Sequence, residues 1–431
     1  MASLGTTEPV VPPRSRTVLP RSYVLWLAGT CACLVGDAAL YFALGWAASA
    51  HGGQAAALVL TAITLPRTVL LLLGGAVGDR FGARRVLITG AAAMLAAVLA
   101  LALATRMWGT SLWMLLGFAA VVGTVDAFCL PATGSMPRRL VSKEQLPRAM
   151  ALRQAGGQVA ALLGAPLGAA LVAASGLGGT ALVDAGGFVV VLAVMVWVRP
   201  AAEAERSPRA ESVLAGITDG LKLAAADPVL RTALLLTAAA AAALLPAVSL
   251  LGPLLVRSNG WGPGTAGLVA AGQGAGILFA ALLTARLGPV RRIGTGASLG
   301  LALASVGLAG LAAAPAPAAA VAAAVVVGAG SGVFACHMGP LVLAGAPDTH
   351  LSRVQSLLSL VQSSALVVAN NVLGRLANAP GPGSALLLCA AVGCGAAGIG
   401  LASASLRASR AAGPTPRSAP GRRNSGTEQE L

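Results

Sequence analysis

Charged residues stand inside long apolar runs of this sequence, among them Asp37, Arg67, Asp126, Arg153 and Asp184. A charged side chain on an apolar helix is costly to keep, so its default reading is functional and its partner must be sought. Counted from Ser22, Asp37 lies about 22 Å along a helix that rises ~1.5 Å per residue. Arg67 lies about 18 Å inward of Asp79 by the same rise. Both fall at mid-depth on consecutive runs and are expected to pair. Two roles stay open for that pair. Either Asp37 exchanges a proton while Arg67 sets its affinity, or the two charges form a static lock between helices. Asp126 and Arg153, nearer one end of their runs, form a second expected pair that can serve as a lock or as a gate. Asp184 lies close to the end of its run and reads as structural. Gln158, Gln273 and Asn370 are candidate contacts for a bound solute, because such cavities are mostly apolar with a few placed polar groups. Each of the three also suits an ordinary interhelical hydrogen bond.

The elements that must position these residues are membrane spans. The chain has 431 residues, 57% hydrophobic and only 10% charged, with a mean hydropathy of +0.83. A soluble domain needs roughly a quarter of its residues charged. A span takes about 20 apolar residues, and twelve such runs fall near 22–49, 54–78, 85–105, 109–131, 148–174, 178–198, 229–256, 264–285, 293–313, 316–346, 354–377 and 382–406. The expected architecture is therefore an all-α membrane protein of twelve transmembrane helices in two six-helix bundles. Its parts are a tail over 1–21, a first bundle over 22–198, a linker over 199–228, a second bundle over 229–407 and a basic tail over 408–431. Both tails have the composition of disordered segments.

Charge sets the expected orientation. Outside the spans, all basic residues except Arg106 and Arg257 fall on one side of the alternating loops. Cytoplasmic loops retain Lys and Arg, so both termini are expected to be cytoplasmic. Trp26 and Trp197 fall near inner ends, and Trp46, Trp108, Trp113 and Trp261 near outer ends, as the headgroup preference of indole requires. The net charge of +15 is spread over these loop clusters, so no nucleic-acid partner is expected. Lys is nearly absent (Lys143 and Lys222) beside abundant Arg. That bias fits a GC-rich genome, and a bacterial cell membrane is the expected location.

Catalysis and metal binding find little support. The three His are scattered, there is no H-E-x-x-H, and no Glu lies within a run. The six Cys all lie in apolar runs, where they read as small hydrophobes. No cofactor and no metal are expected. A nucleotide-driven pump would need G-x-x-x-x-G-K-[ST], which does not occur.

The most specific local pattern is Gly75-Ala76-Val77-Gly78-Asp79-Arg80-Phe81-Gly82-Ala83-Arg84-Arg85, between the second and third runs. Gly82 permits a tight turn that a residue with a Cβ resists. This segment resembles the loop motif of the major facilitator superfamily, G-x-L-A-D-R-x-G-R-[KR]. The resemblance implies a conformational gate at Gly75, Asp79, Arg80, Gly82, Arg84 and Arg85. In it the Asp79 carboxylate docks near the positive end of the helix that starts near Arg353, a kind of contact worth roughly 0.3–1 kcal/mol. A faded copy follows in the second half, with Arg286, Gly288 and Arg291 matching Arg80, Gly82 and Arg85, Ala285 replacing Asp79, and Gln273 in the place of Arg67. Such internal repeats place the substrate site between the halves near midplane.

Asp37, Leu65-Pro66, Pro131-Ala132, Asp184 to Phe188 and the run Leu163 to Ala169 are similar to the drug:proton antiporter branch of that superfamily, which includes macrolide and siderophore exporters. Gly164, Pro166 and Gly168 stand for the antiporter motif G-P-x-x-G-G and provide a Pro-weakened helix with a small-residue face. One departure is that Met114 to Thr124 holds no Arg, where many proton antiporters carry one. The resemblance implies a monomeric secondary transporter that exports a small hydrophobic compound in exchange for protons. Uptake or facilitated transport of a small solute, or a non-transporting receptor on the same fold, stands as the alternative.

Overall fold

The computed structural model describes residues 18–142, 144–198, 227–288, 290, 292–345, 351–404 and 406. Within its helices the side chains of 72, 75, 76, 78, 79, 340, 342–345 and 351–356 are not described. The expected tails and most of the linker, the Asp79 carboxylate and the Arg353 side chain thus lie outside the described residues.

The described regular elements are helices. In chain order they are α1 (Arg21–Ser49), α2 (Gly53–Phe81), α3 (Ala83–Trp108) and α4 (Leu112–Leu140), then the stretch Leu146–Trp197. There follow α7 (Pro228–Ser258), α8 (Pro263–Leu287), α9 (Ile293–Ala312), α10 (Pro317–Gly345), α11 (Leu351–Asn378) and α12 (Pro382–Ala402). Among the described residues, eleven helical stretches are long and apolar enough to cross a membrane. The stretch Leu146–Trp197 counts twice. Its 52 residues would extend about 78 Å as one helix, far beyond a ~30 Å hydrocarbon core. Gly176, at φ 67° and ψ −169°, breaks it, giving α5 (146–175) and α6 (177–197).

The ends follow local chemistry. Pro228, Pro263 and Pro382 open their helices, where the missing N–H has no intrahelical acceptor to lose. The Asp227 carboxylate caps α7, accepting from Val229 N at 2.8 Å. α7 also holds a π turn over Ala247–Leu251, directly after Pro246. Helix α4 runs through Pro131 and Pro137 to Leu140, several residues past its expected end. Asp126 is consequently mid-helix, about 21 Å from either end, and not near the inner face as its spacing had implied.

Packing repeats between the halves. In the first, α1 packs on the α5–α6 stretch, α2 on α4, and α3 on α4 and the α5–α6 stretch. In the second, α7 packs on α11 and α12, α8 on α10, and α9 on α10 and α12. The halves meet chiefly where α2 crosses α11 and α5 crosses α8. Gly82 and Gly288, paired by the sequence repeat, adopt matching positive φ of 85° and 78°.

With the Arg-rich ends termed inner, the described close contacts between halves lie toward the outer side. Asn378 Oδ1 accepts from Gly53 N at 2.7 Å, and Asn371 Nδ2 donates to Thr61 Oγ1 at 2.9 Å. Arg257, on α7, donates through Nε to Ser49 Oγ and through Nη2 to the Trp46 carbonyl, each at 3.0 Å. Its guanidinium also stacks 4.3 Å from the Trp46 ring centroid. These contacts clasp the outer ends of α1 and α7.

Trp108, Trp113 and Trp197 are exposed at helix ends, as headgroup anchors should be. Trp26 differs from its expected place at the headgroups. It is buried against Tyr23, with ring centroids 5.7 Å apart, in a small inner core with Val86, Met136 and Met195. Tyr23 Oη donates to the Ala149 carbonyl at 2.5 Å, which ties α1 to α5.

Candidate functional site

A cavity of about 270 Å³ lies inside the first half. Its walls come from α1, α3, α4, α5 and α6, and its polar lining includes Thr30, Asp37, Tyr41, Asp126, Thr133, Arg153 and Gln154 beside Trp26, Met94, Phe188 and Met195. Asp37 and Asp126 occupy the deep, mid-membrane part, while Arg153, two turns into α5, stands toward the inner end.

Neither expected ion pair forms. Asp37 has the carboxylates of Asp126 and Asp184 as its charged neighbours, and the Cys33 thiol points at its Oδ2 from 3.8 Å. Arg67 instead acts on Asp126 and Tyr41. Rotation about the helix axis explains the change. Ile63 of α2 lies against Gly123 of α4, and Gly74 against Ala127. Arg67, one turn from Ile63, therefore shares the face turned to α4, which carries Asp126 one turn from Gly123. Arg153 has Tyr23 as its electrostatic neighbour, because it sits about 10 Å nearer the inner end than Asp126 by helical rise.

Asp126 accepts a hydrogen bond from Tyr41 Oη at 2.8 Å. Tyr41 was missed in the sequence; its signal was its place one turn after Asp37, on the same face of α1. Tyr41, one turn after Asp37 on α1, thus reaches Asp126 on the facing α4.

The antiporter-motif helix packs directly behind this site. A Cβ at Gly164 would run into Ala38, and one at Gly168 would lie 2.5 Å from the Ala39 carbonyl oxygen. The two glycines let α5 close onto the turn of α1 that carries Asp37. The opposite side of the same segment meets the other half, because Gly267 of α8 lies against Ala165, Pro166 and Ala169. The segment is therefore sandwiched between Asp37's helix and the seam of the two halves.

The loop motif ties helices at the inner side. Arg84 donates to the Met195 carbonyl at 2.8 and 3.1 Å, so it satisfies the free end of α6. Arg80 lies over the Phe81 ring at 5.5 Å, and Arg85 is exposed. Gly75 lies in α2.

The three cavity candidates do not converge. Gln273 lines a separate cavity of about 530 Å³ in the second half, with Thr237, Ser331, Ser359 and Gln362. Gln158 is exposed on α5, with Gln154 exposed one turn before it. Asn370 is buried, its Oδ1 without a hydrogen-bond donor.

Comparison with known proteins places this geometry. The family model described as Major Facilitator Superfamily matches residues 25–370. The multidrug efflux pump Tap of Mycolicibacterium fortuitum is 32% identical over 232 residues, 51% of this chain and 56% of that protein. The chain thus aligns with little more than half the length of that curated relative. Among solved structures, the nucleoside transporter NupG superposes with a TM-score of 0.69 at 12% identity, covering 88% of this chain and 98% of that one. A POT family transporter in complex with 5-aminolevulinic acid gives 0.67 at 14% identity, covering 89% and 96%. A bacterial homologue of the human lysosomal transporter Spinster, in an inward-facing and unoccupied conformation, gives 0.64 at 14% identity, covering 90% and 96%. At such identities these structures establish the fold. Through the family match over residues 25–370, this chain belongs to the Major Facilitator Superfamily, and the shared architecture agrees.

Proposed function

We propose that this transporter exports a small hydrophobic compound across a bacterial cell membrane in exchange for protons. The observation that carries the reading is the carboxyl pair Asp37 and Asp126 at the deep end of a mostly apolar cavity. Protons and an apolar solute can compete there, and that competition is what exchange requires. A carboxyl group at this depth is stable when neutral and costly when charged. Its proton therefore has to leave where water enters, which couples occupancy to the orientation of the cavity. The partial likeness to a multidrug efflux pump supports export over uptake. The gate role of Gly75, Asp79, Arg80, Gly82, Arg84 and Arg85 belongs to the same reading, as does the motif helix at Gly164, Pro166 and Gly168. In it Arg67 tunes Asp126, Arg153 marks the inner mouth, and Gln158, Gln273 and Asn370 contact solute during the cycle.

The test is expression in a host lacking its own pumps, with a panel of macrolides and other natural products, followed by transport in everted vesicles. Resistance is expected to at least one compound, with the pH gradient consumed as it moves. Asp37→Asn should abolish the proton-driven component while inserting normally. Full activity in that variant would remove Asp37 from the mechanism. Unchanged susceptibility together with intracellular accumulation would establish uptake instead.

A further inference from the structure

Asp184 is the buried group that the exchange reading leaves unused. It is 0% exposed, and neither carboxyl oxygen has a hydrogen-bond partner. It faces α1 and not lipid. A Cβ on Gly36 would lie 2.5 Å from Asp184 Oδ1, and one on Gly187, a turn further along α6, would lie 3.2 Å from Cys33 Cα. The Cys33–Gly36 face of α1 and the Asp184–Gly187 face of α6 are thus pressed together at small residues. Asp37 follows Gly36 in the chain, on the side of α1 that lines the cavity.

From this geometry we infer that Asp184 is a second protonation site, coupled across the α1–α6 seam to Asp37. The inference rests on the proton-exchange reading above. An ionised carboxylate without donors, sealed from water, carries a large desolvation cost. The neutral acid is therefore the form that fills this seam. Ionisation needs water: the Asp184 O–H bond breaks as an O–H bond forms on a water entering beside Asp37, and a carboxylate remains. Reloading reverses the step.

The charged and titratable groups around it are few. Cys33 and Asp37 face it from α1. Asp126 and Cys129 of α4 lie beyond Asp37, and Arg67 lies beyond Asp126. Arg153 of α5 shares the cavity, and α3 has no ionisable residue from Val86 to Thr105. The turn of α1 that follows Gly36 is gripped from its other side by Gly164 and Gly168 of α5, whose far side meets α8 of the second half. Movement of one half against the other thus loads the segment that seals Asp184.

The full chain, purified into lipid nanodiscs, tests this by infrared difference spectroscopy with the proton as the probe. The wild type should show a protonated-carboxyl stretch at neutral pH that Asp184→Asn removes and that fades on alkaline titration. Two carboxyls this close resist being charged together, so in the wild type the pair should release its protons in two separate steps. Asp37→Asn leaves one titrating group, so the upper step should vanish and the remaining midpoint should lie about one unit below it, a tenfold change in proton affinity. If Asp184→Asn removes no component of the band, if that component persists through the alkaline range, or if the two-step titration is unchanged in Asp37→Asn, the inference is overturned. In vesicles, Asp184→Asn should insert normally and flatten the pH dependence of transport; an unchanged profile also overturns it. Failure of wild-type vesicles to consume a pH gradient would instead defeat the exchange reading, a result separate from the spectroscopy.

Discussion

Removing the Arg257 guanidinium should open the outer end of the transporter. Arg257 makes two hydrogen bonds to α1, at 3.0 Å each, and stacks on Trp46 at 4.3 Å. A hydrogen bond from a charged donor contributes about 1.5–3 kcal/mol, and a partly exposed cation–π contact about 0.5–1 kcal/mol. The three contacts share one side chain and are not additive, and water replaces part of each once the ends separate. Their joint loss in Arg257→Ala is about 2 kcal/mol, or roughly thirtyfold in the equilibrium between outer-closed and outer-open forms. Trp46→Leu keeps the carbonyl acceptor and loses only the ring, so it should shift that equilibrium roughly two- to fivefold. Spin labels at Ala50 and Asn259, both exposed at the clasped ends, would report the distance in a background freed of its native cysteines. Arg257→Ala should populate a longer distance at the expense of the short one. If the distribution matches the parent protein, the clasp does not hold the outer side shut and this reasoning fails.

Two further outcomes can be checked directly. Tyr41→Phe removes the donor to Asp126, a loss of about 1.4 kcal/mol or more; transport should fall roughly tenfold with unchanged membrane insertion, and wild-type rates would show that the bond is idle. Gly82→Ala forces a Cβ onto backbone at φ 85° and ψ 135°, costing about 1–3 kcal/mol. Its melting temperature in detergent should drop, whereas Gly134→Ala in α4, with nothing near its Cβ position, should melt at or above the wild type.

Much of this protein is legible from sequence alone. Apolar length determines where spans can lie, since no other arrangement of about 20 apolar residues satisfies the backbone in lipid. Gly82 and Gly288 were identifiable because a short turn between spans demands backbone angles that only glycine adopts freely. Mid-membrane depth could be counted for Asp37 and Arg67, since helical rise is constant. The end of α4 could not, because the apolar run stops at 131 while the helix continues through Pro131 and Pro137 to Leu140.

Tertiary structure decided which charges meet. Depth along a helix follows from sequence number, but the direction a side chain faces depends on the rotation of each helix against its neighbours. That rotation is set by pairs such as Ile63 with Gly123, Ala38 with Gly164 and Gly36 with Asp184. It turned Arg67 toward Asp126 and left Asp37 among carboxylates. It also buried Asp184, two turns from the start of α6, in a sealed seam against α1 beside Asp37. The sequence determined the fold and the inventory of costly groups; packing at small residues determined their partners, because close approach depends on both helices at once.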